Sequence, residues 1–274
     1  MIDLHLHTTA SDGLFEPVAL VDLAWRAGIR TMSVTDHDTI AGLQEAESAA
    51  AASGIAFVSG IEITAVHEGH DVHVLGYFID RDDAALAGFL ERQRADRVRR
   101  VEQMADKLAV MGKPVDRQAL LAPRRNGKSL GRPMVAKALV QAGHVTDTRQ
   151  AFDQLIGAGK PAFIPRCGAS PAEVIGIINR AGGVASLAHP GLLKRDELIP
   201  AMIDAGLTAV EAFHSEHDAA TTQRYLALAE RHGILVSGGS DYHGDKERRK
   251  AAFGTVGLPR ERFDRLKARV TREN

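Results

Sequence analysis

With 274 residues, 45% of them hydrophobic and 25% charged, the chain is long enough to bury a full core, and its formal charge of −1 excludes the basic excess of a dedicated DNA-binding protein. It holds no run of about eighteen apolar residues and opens directly on a strand pattern instead of a signal peptide, so no membrane association and a cytoplasmic location are expected. The single cysteine, Cys167, excludes an internal disulfide and reads as a small packed hydrophobe.

In chain order, Met1-Ile-Asp-Leu-His-Leu-His-Thr8 alternates, with Ile2, Leu4 and Leu6 on one face and Asp3, His5 and His7 on the other. This predicts a strand over 2–7 whose apolar face packs on helices while two imidazoles, two residues apart, aim at one spot in a polar interior. Asp12 falls in the loop that follows. A helix over Pro17 to Ala27 starts with a proline suited to a first turn and closes at Gly28. The strand over 30–35 ends in Thr35-Asp-His37, with Asp36 and Asp38 reading as supporting or helix-start residues. A helix from Gln44 to Ala52 closes at Gly54. Strands over 56–64 and 72–78 carry Glu62 and His73.

The rhythm breaks between 80 and 160. Asp82 to Met111 reads as one long helix with an apolar stripe of Leu86, Phe89, Leu90, Val98, Val101, Met104 and Leu108, followed by helices near 133–142 and 147–156. Arg92, Arg94, Arg97, Arg99 and Arg100 read as its solvated face. Strands resume over 183–188, 207–213 and 234–240. His189 follows the first of these, His214 and His217 follow the second, and Asp241-Tyr-His243 follows the third with the same two-residue spacing as His5 and His7.

Strand runs alternating with helix runs predict parallel strands joined by crossover helices. Reactive residue types recur where many different strands end, and no glycine-rich phosphate turn follows the first strand; a closed barrel is therefore expected over an open doubly wound sheet. The α/β barrel would comprise 1–80 and 160–274, interrupted by a small α-helical domain over 81–159.

His5, His7, Asp12, His37, Glu62, His73, His189, Asp241 and His243 make nine nitrogen or carboxylate donors, more than one divalent ion takes, so two or three ions are expected. Mixed imidazole and carboxylate ligation suits Mn²⁺, Fe²⁺ or Zn²⁺. Burying these groups with neither metals nor partners would cost several kcal/mol per unpaired charge.

These motifs together resemble the polymerase-and-histidinol-phosphatase, or PHP, family of metal-dependent phosphoesterases. His5-Leu-His7 with Asp12 is similar to its first motif, Thr35-Asp-His37 to its second, Glu62 with His73 to its third, and Ala188-His-Pro190 with Asp241-Tyr-His243 to its last. The resemblance implies a distorted (β/α)7 barrel and three clustered metals: one on His5, His7, Glu62 and Asp241, a second on Glu62, His73 and His189, and a third on Asp12, His37 and His243. It favours Mn²⁺ for activity. Gly131-Arg-Pro-Met-Val-Ala136 further resembles a segment in stand-alone bacterial members that act as 3′,5′-bisphosphonucleotide phosphatases or as 5′-to-3′ exonucleases on short RNA.

The expected chemistry is hydrolysis of a phosphate monoester, with water activated between two ions attacking phosphorus in line. Arg132 is the expected clamp for a second phosphate, aided by Lys128 and Ser129 in a basic loop with Arg124 and Arg125. His214 is placed to protonate a leaving group or bind phosphate, and His217 to bind phosphate as a cation. The favoured substrate is a small nucleoside 3′,5′-bisphosphate such as pAp, whose 3′-phosphate is released. The alternatives are a 5′-to-3′ exoribonuclease on short 5′-phosphorylated RNA, which an open basic track leading from the metals would favour, and a non-catalytic metal-dependent module. No DNA and no obligate protein partner are expected.

Overall fold

Seven strands follow one another around a single sheet in sequence order. The computed structural model describes residues 1–122, 129–244 and 252–270. The strands are β1 (Ile2–Leu6), β2 (Thr31–Val34), β3 (Ala56–His67), β4 (His70–Tyr77), β5 (Val184–Leu187), β6 (Ala209–His214) and β7 (Leu235–Gly239). The sheet curls until its two edges meet, where Leu6 bridges Tyr242 and His7 N–H donates to Tyr242 O at 3.0 Å. At this seam a Cβ on Gly239 would stand 2.4 Å from His5 N, so the close approach of β7 to β1 requires glycine. The result is a nearly closed barrel.

Alternation in β1 places Leu4 and Leu6 in the outer apolar layer and turns Asp3 and His5 inward, with His7 just past the strand end following them, all of them buried. Flanking helices cover the outside: α1 (Pro17–Arg26) and α2 (Leu43–Ala52) on the first half, α3 (Ala84–Val110) after β4. After α4 (Arg117–Leu121), α5 (Arg132–Gln141) and α6 (Thr148–Ala151), the chain passes through a π-helical turn over Phe152–Ile156. It then returns through α7 (Pro171–Arg180), α8 (Pro190–Leu193), α9 (Ile199–Asp204), α10 (Ala219–His232) and α11 (Arg260–Val270). None of the described helices is long and apolar enough to cross a membrane.

Two expectations are corrected. The strands are not all parallel, because β4 pairs antiparallel with both β3 and β5. His67 and His70 are joined by Glu68 and Gly69, both with positive φ (49° and 79°), the backbone of a tight hairpin turn, and a link this short cannot make a crossover. Nor is the charged stretch of α3 a solvated face throughout. Arg97 and Arg100 share a helix face with Gln93, Val101 and Met104, and both are buried, at 8% exposure each.

Apolar burial forms two clusters. One surrounds the barrel and takes in Leu86 and Leu90 from the start of α3; the other gathers Val101, Met104 and Leu108 from its end with Val135, Leu139 and Ile156. Helix α3 therefore belongs to both. Cys167 is exposed, contrary to the packed position expected from its type.

Candidate metal centre

Glu62 is the hub of the barrel mouth. It lies within β3, where the chain after β2 pins it: Asp38 N–H donates to Glu62 O at 2.9 Å and Glu62 N–H to Asp36 O at 3.3 Å. One carboxylate oxygen, Oε2, lies 3.2 Å from Nε2 of His5, 3.2 Å from Nε2 of His7 and 3.3 Å from Nδ1 of His37. The other, Oε1, lies 2.8 Å from Nδ1 of His73 and 3.0 Å from Nε2 of His189. Asp241 Oδ1 approaches His5 and His7 at 3.4 and 3.2 Å. Asp12 Oδ1 approaches Nε2 of His243 at 3.2 Å, and its Oδ2 lies 4.0 Å from His37. All nine residues expected as ligands thus converge, contributed by β1, β3, β4 and the segments just after β1, β2, β5 and β7.

Three sets have donor atoms that all lie within 4.8 Å of one another: His5, His7, Glu62 and Asp241; His7, Asp12, His37 and His243; and His37, Glu62 and His73. The first is the set implied for one ion. In the other two, His7 joins Asp12, His37 and His243, and His37 joins Glu62 and His73, while His189 adjoins through Glu62.

The backbone is bent to make this fit. Asp38, His189 and Asp241 have φ of 53°, 29° and 54°, a left-handed conformation that costs non-glycine residues and concentrates at functional sites.

Burial alone would discharge these groups, and mutual attraction mostly outweighs it. For Glu62, burial raises the pKa but His37, His73 and His5 hold it well below the usual carboxylate range; Asp241 and Asp12 are held low in the same way by neighbouring imidazoles. For His7, burial lowers the pKa, but Asp241 and Glu62 lift it to about 9. His5 is lifted well above the ordinary range by Glu211, Asp241 and Glu62 against its burial, whereas burial keeps His37 well below.

These residues fit divalent ions. Both ring nitrogens of His7, Nδ1 of His37 and Nδ1 of His73 are buried with no hydrogen-bond partner among the described residues, although carboxylate oxygens stand close. Donors sharing an ion at about 2.1 Å sit roughly 3 to 3.5 Å apart without pointing at one another, and that spacing recurs around Glu62.

The remaining predicted residues divide. His214 is buried, its Nε2 3.3 Å from Asp241 Oδ2 and its Nδ1 accepting Glu216 N–H at 3.1 Å. His217 sits beside it, but Nδ1–H donates to Ala212 O at 2.9 Å and Nε2 accepts Gly191 N–H at 3.2 Å. Burial lowers its pKa, so it stands as a neutral bridge with neither nitrogen turned to a substrate. Asp36 accepts from Thr8 and Ser11, and Asp38 from Thr64 N and Arg97.

Ser129 and Arg132 line a cavity of about 170 Å³ that shares Asp12, His37 and His73 with the cluster. Arg97, Arg100 and Arg166 line it too, which the sequence reading missed. Four guanidinium groups there meet two carboxylates: Asp38, 3.7 Å from Arg166, and Asp71, 3.5 Å from Arg132 and 3.8 Å from Arg166. Burial and neighbouring arginines lower Arg166 to about 9 and Arg100 to about 10. The Ser129 hydroxyl is buried with no hydrogen-bond partner among the described residues. Lys128, Arg124 and Arg125 lie outside the described residues. A wider cavity of about 620 Å³ opens over the cluster and is also lined by Pro133, Lys137, Thr148 and Phe152.

A second missed residue is Glu211, fully buried in β6. A break in strand register between Glu211 and Phe213 lets Glu211 and His214, three apart, both reach the interior, which simple alternation forbids. The only signal in the sequence is an acidic residue inside the apolar run Ala209-Val-Glu-Ala-Phe213.

Comparison with known proteins agrees with this geometry. The PHP domain family model matches residues 3–158. A 3′,5′-nucleoside bisphosphate phosphatase from Chromobacterium violaceum is 34% identical over 281 residues, covering 99% of this chain and 98% of that protein. A 5′-3′ exoribonuclease from Haemophilus influenzae is 40% identical over 190 residues, 69% of this chain and 68% of that protein. A solved structure from Bifidobacterium adolescentis, classed as a metal-dependent phosphoesterase, superposes with a TM-score of 0.88 at 34% identity, covering 97% of this chain and 95% of that one. With the family matched over more than half its length and a full-length relative besides, the chain belongs to the PHP domain family and is a metal-dependent phosphoesterase of that type.

Proposed function

We propose that this phosphoesterase removes the 3′-phosphate from nucleoside 3′,5′-bisphosphates such as pAp, leaving the 5′-monophosphate. The observation that carries this reading is the adjacency of two arrangements: a cation-binding cluster around Glu62 and a small arginine-lined cavity that shares His37, His73 and Asp12 with it. A substrate with two phosphates on one ribose has one group for each. The similarity to the Chromobacterium phosphatase over nearly the whole of both chains supports the same substrate class.

In this reading the metal ligands are His5, His7, Asp12, His37, Glu62, His73, His189, Asp241 and His243, with Mn²⁺ the preferred ion. When bound, divalent ions supply a nucleophile at neutral pH and positive charge for the phosphoryl group. The chain's residues do the rest. Arg132 and Ser129 bind the distal phosphate, and Asp38 and Asp71 hold the arginine forks in place for it. His214 holds Asp241 from behind. The helical unit over 81–159 contributes Lys137, Thr148 and Phe152 to the mouth and limits the water that reaches it.

Exoribonuclease action is the second reading, favoured by the 40% identical relative. A continuing RNA chain needs an open basic track. Among the described residues the arginines wall a small cavity and three of them are nearly buried, which favours a terminal phosphate. The test is phosphate release by Mn²⁺-loaded protein from pAp, AMP, histidinol phosphate and a short 5′-phosphorylated RNA. Turnover of pAp well above the others is expected; faster mononucleotide release from RNA would replace this reading with the second.

A further inference from the structure

We infer that Glu211 is a positioning residue of the metal centre, which holds His5 and His189 at a fixed spacing and so couples the ion positions that share Glu62. The inference rests on the metal-site reading above and assigns a role to a residue that has none in it.

Glu211 is fully buried between Val210 and Ala212 in β6. A carboxylate there costs several kcal/mol unless its oxygens are satisfied. Both are spent on the candidate ligands. Oε1 accepts from Nδ1–H of His5 at 2.9 Å, and Oε2 accepts from the backbone N–H of His189 at 2.8 Å. Donating Nδ1–H to Glu211 fixes the ring orientation and makes Nε2 the nitrogen that faces Glu62 and Asp241, at 3.2 and 3.4 Å, and that an ion would take. At His189 the bond acts on the backbone, in the residue whose φ of 29° needs outside support.

The contacts close into a circuit. Glu211 holds His5, whose Nε2 faces Glu62 Oε2; Glu211 also holds His189, whose Nε2 faces Glu62 Oε1 at 3.0 Å. One buried carboxylate thus sets where an imidazole stands on each side of the other. Neighbouring inward positions solve their polarity without charge: Ser186 on β5 and Ser237 on β7, the latter in register with Glu211, bond to each other at 2.7 Å. An ionised group at 211 is more than that layer needs for its own stability.

The test is Mn²⁺ titration of the full chain by calorimetry, with the Co²⁺-loaded absorption spectrum as a report of ligand geometry. Glu211→Gln keeps the shape but turns an amide N–H₂ toward one of the two donors. Its Mn²⁺ affinity is expected to fall ~10- to 100-fold with an altered Co²⁺ spectrum, and saturating Mn²⁺ to restore much of the turnover. Ser186→Ala, which disturbs the same layer without touching a ligand, is expected to bind as the unaltered protein does. Equal loss in both variants, or unchanged affinity in Glu211→Gln, overturns the inference. Absence of Mn²⁺ binding by the unaltered protein instead overturns the metal-site reading itself. Should Glu211→Gln fail to fold by circular dichroism, Glu211→Asp retains the charge but reaches only one of the two donors, and unchanged affinity there overturns it equally.

Discussion

The metal cluster and the arginine cavity share a wall at Asp12, His37 and His73, yet they are built by opposite means. The cluster draws its donors from strands and the residues just after them, where register fixes each Cα and a carboxylate hub, Glu62, gathers five imidazoles. The cavity draws its guanidinium groups from helices α3 and α5 and from Arg166, with Asp38 and Asp71 neutralising only part of their charge. In the proposed function the first region takes cations and the second an anion. Their difference separates chemistry from recognition, and each can be broken without the other.

The largest effect belongs to the cluster. His5→Ala or Asp241→Ala is expected to lower turnover ~10³-fold or more and to reduce bound metal, measured by phosphate release and by metal analysis of the purified protein. Normal rates with full metal content in either variant would remove the cluster from the mechanism.

A pH series sharpens the same side of the comparison. In the metal-free protein His7 titrates at about 9, lifted by Asp241 and Glu62 against the effect of burial, so at pH 7 it holds a proton that a metal must displace. Mn²⁺ affinity should therefore rise by at least about tenfold per pH unit above pH 7, more steeply where His5, also lifted well above the ordinary range, gives up its proton to the same ion, read by titration calorimetry. The stability linkage has the opposite sign. A raised histidine pKa stabilises the fold fully below its unfolded value near 6.5 and is lost as pH rises through 9, so chelated protein should melt at a lower temperature at pH 9 than at pH 7.

How far each region could be read in the sequence follows from its construction. The place of each strand, though not the ends of β3 and β4, and the nine residues that converge were legible because two-residue alternation, the two-apart donor pairs His5/His7 and Asp241/His243, and donor residue types recurring where strands end are local patterns that survive folding. The direction of β4 was encoded in the short link at Glu68-Gly69, where φ is positive at both residues, but it signals a hairpin only once the strands on either side are known to extend to His67 and His70. The cavity was harder. Arg97 and Arg100 sit in a run of arginines whose buried and exposed members look alike, and only the helix face toward the barrel separates them. Glu211 was hidden by the register break that turns it and His214 to one side.

On the recognition side, Arg132→Ala is expected to raise KM for a 3′,5′-bisphosphate ~10- to 100-fold, from about 1.5–3 kcal/mol for charge-assisted hydrogen bonds, with kcat nearly unchanged. The effect should vanish for a substrate lacking the second phosphate. A uniform loss across both substrates would place Arg132 in the scaffold, where its guanidinium lies 5.8 Å from the centres of the Phe152 and Phe163 rings.

The smallest expected effect on catalysis belongs to His217, and it tests whether proximity to the mouth is enough to make a residue part of either region. Its Nδ1–H serves Ala212 O and its Nε2 serves Gly191 N–H, so the ring ties the end of β6 to the segment that carries His189 and α8. The tie is tight: a Cβ on Gly191 would stand 2.7 Å from Nε2 of His217. His217→Ala leaves two backbone groups without their partner at a cost of about 1–3 kcal/mol. The melting temperature should fall by roughly 2–10 °C while kcat changes less than about threefold and the pH–rate profile keeps its shape. A cation that grips phosphate would give the reverse, an unchanged melting temperature with a rise in KM that is largest below the imidazole pKa and fades above it. Calorimetric melting and steady-state kinetics on the same preparation therefore decide whether His217 braces the mouth or works in it.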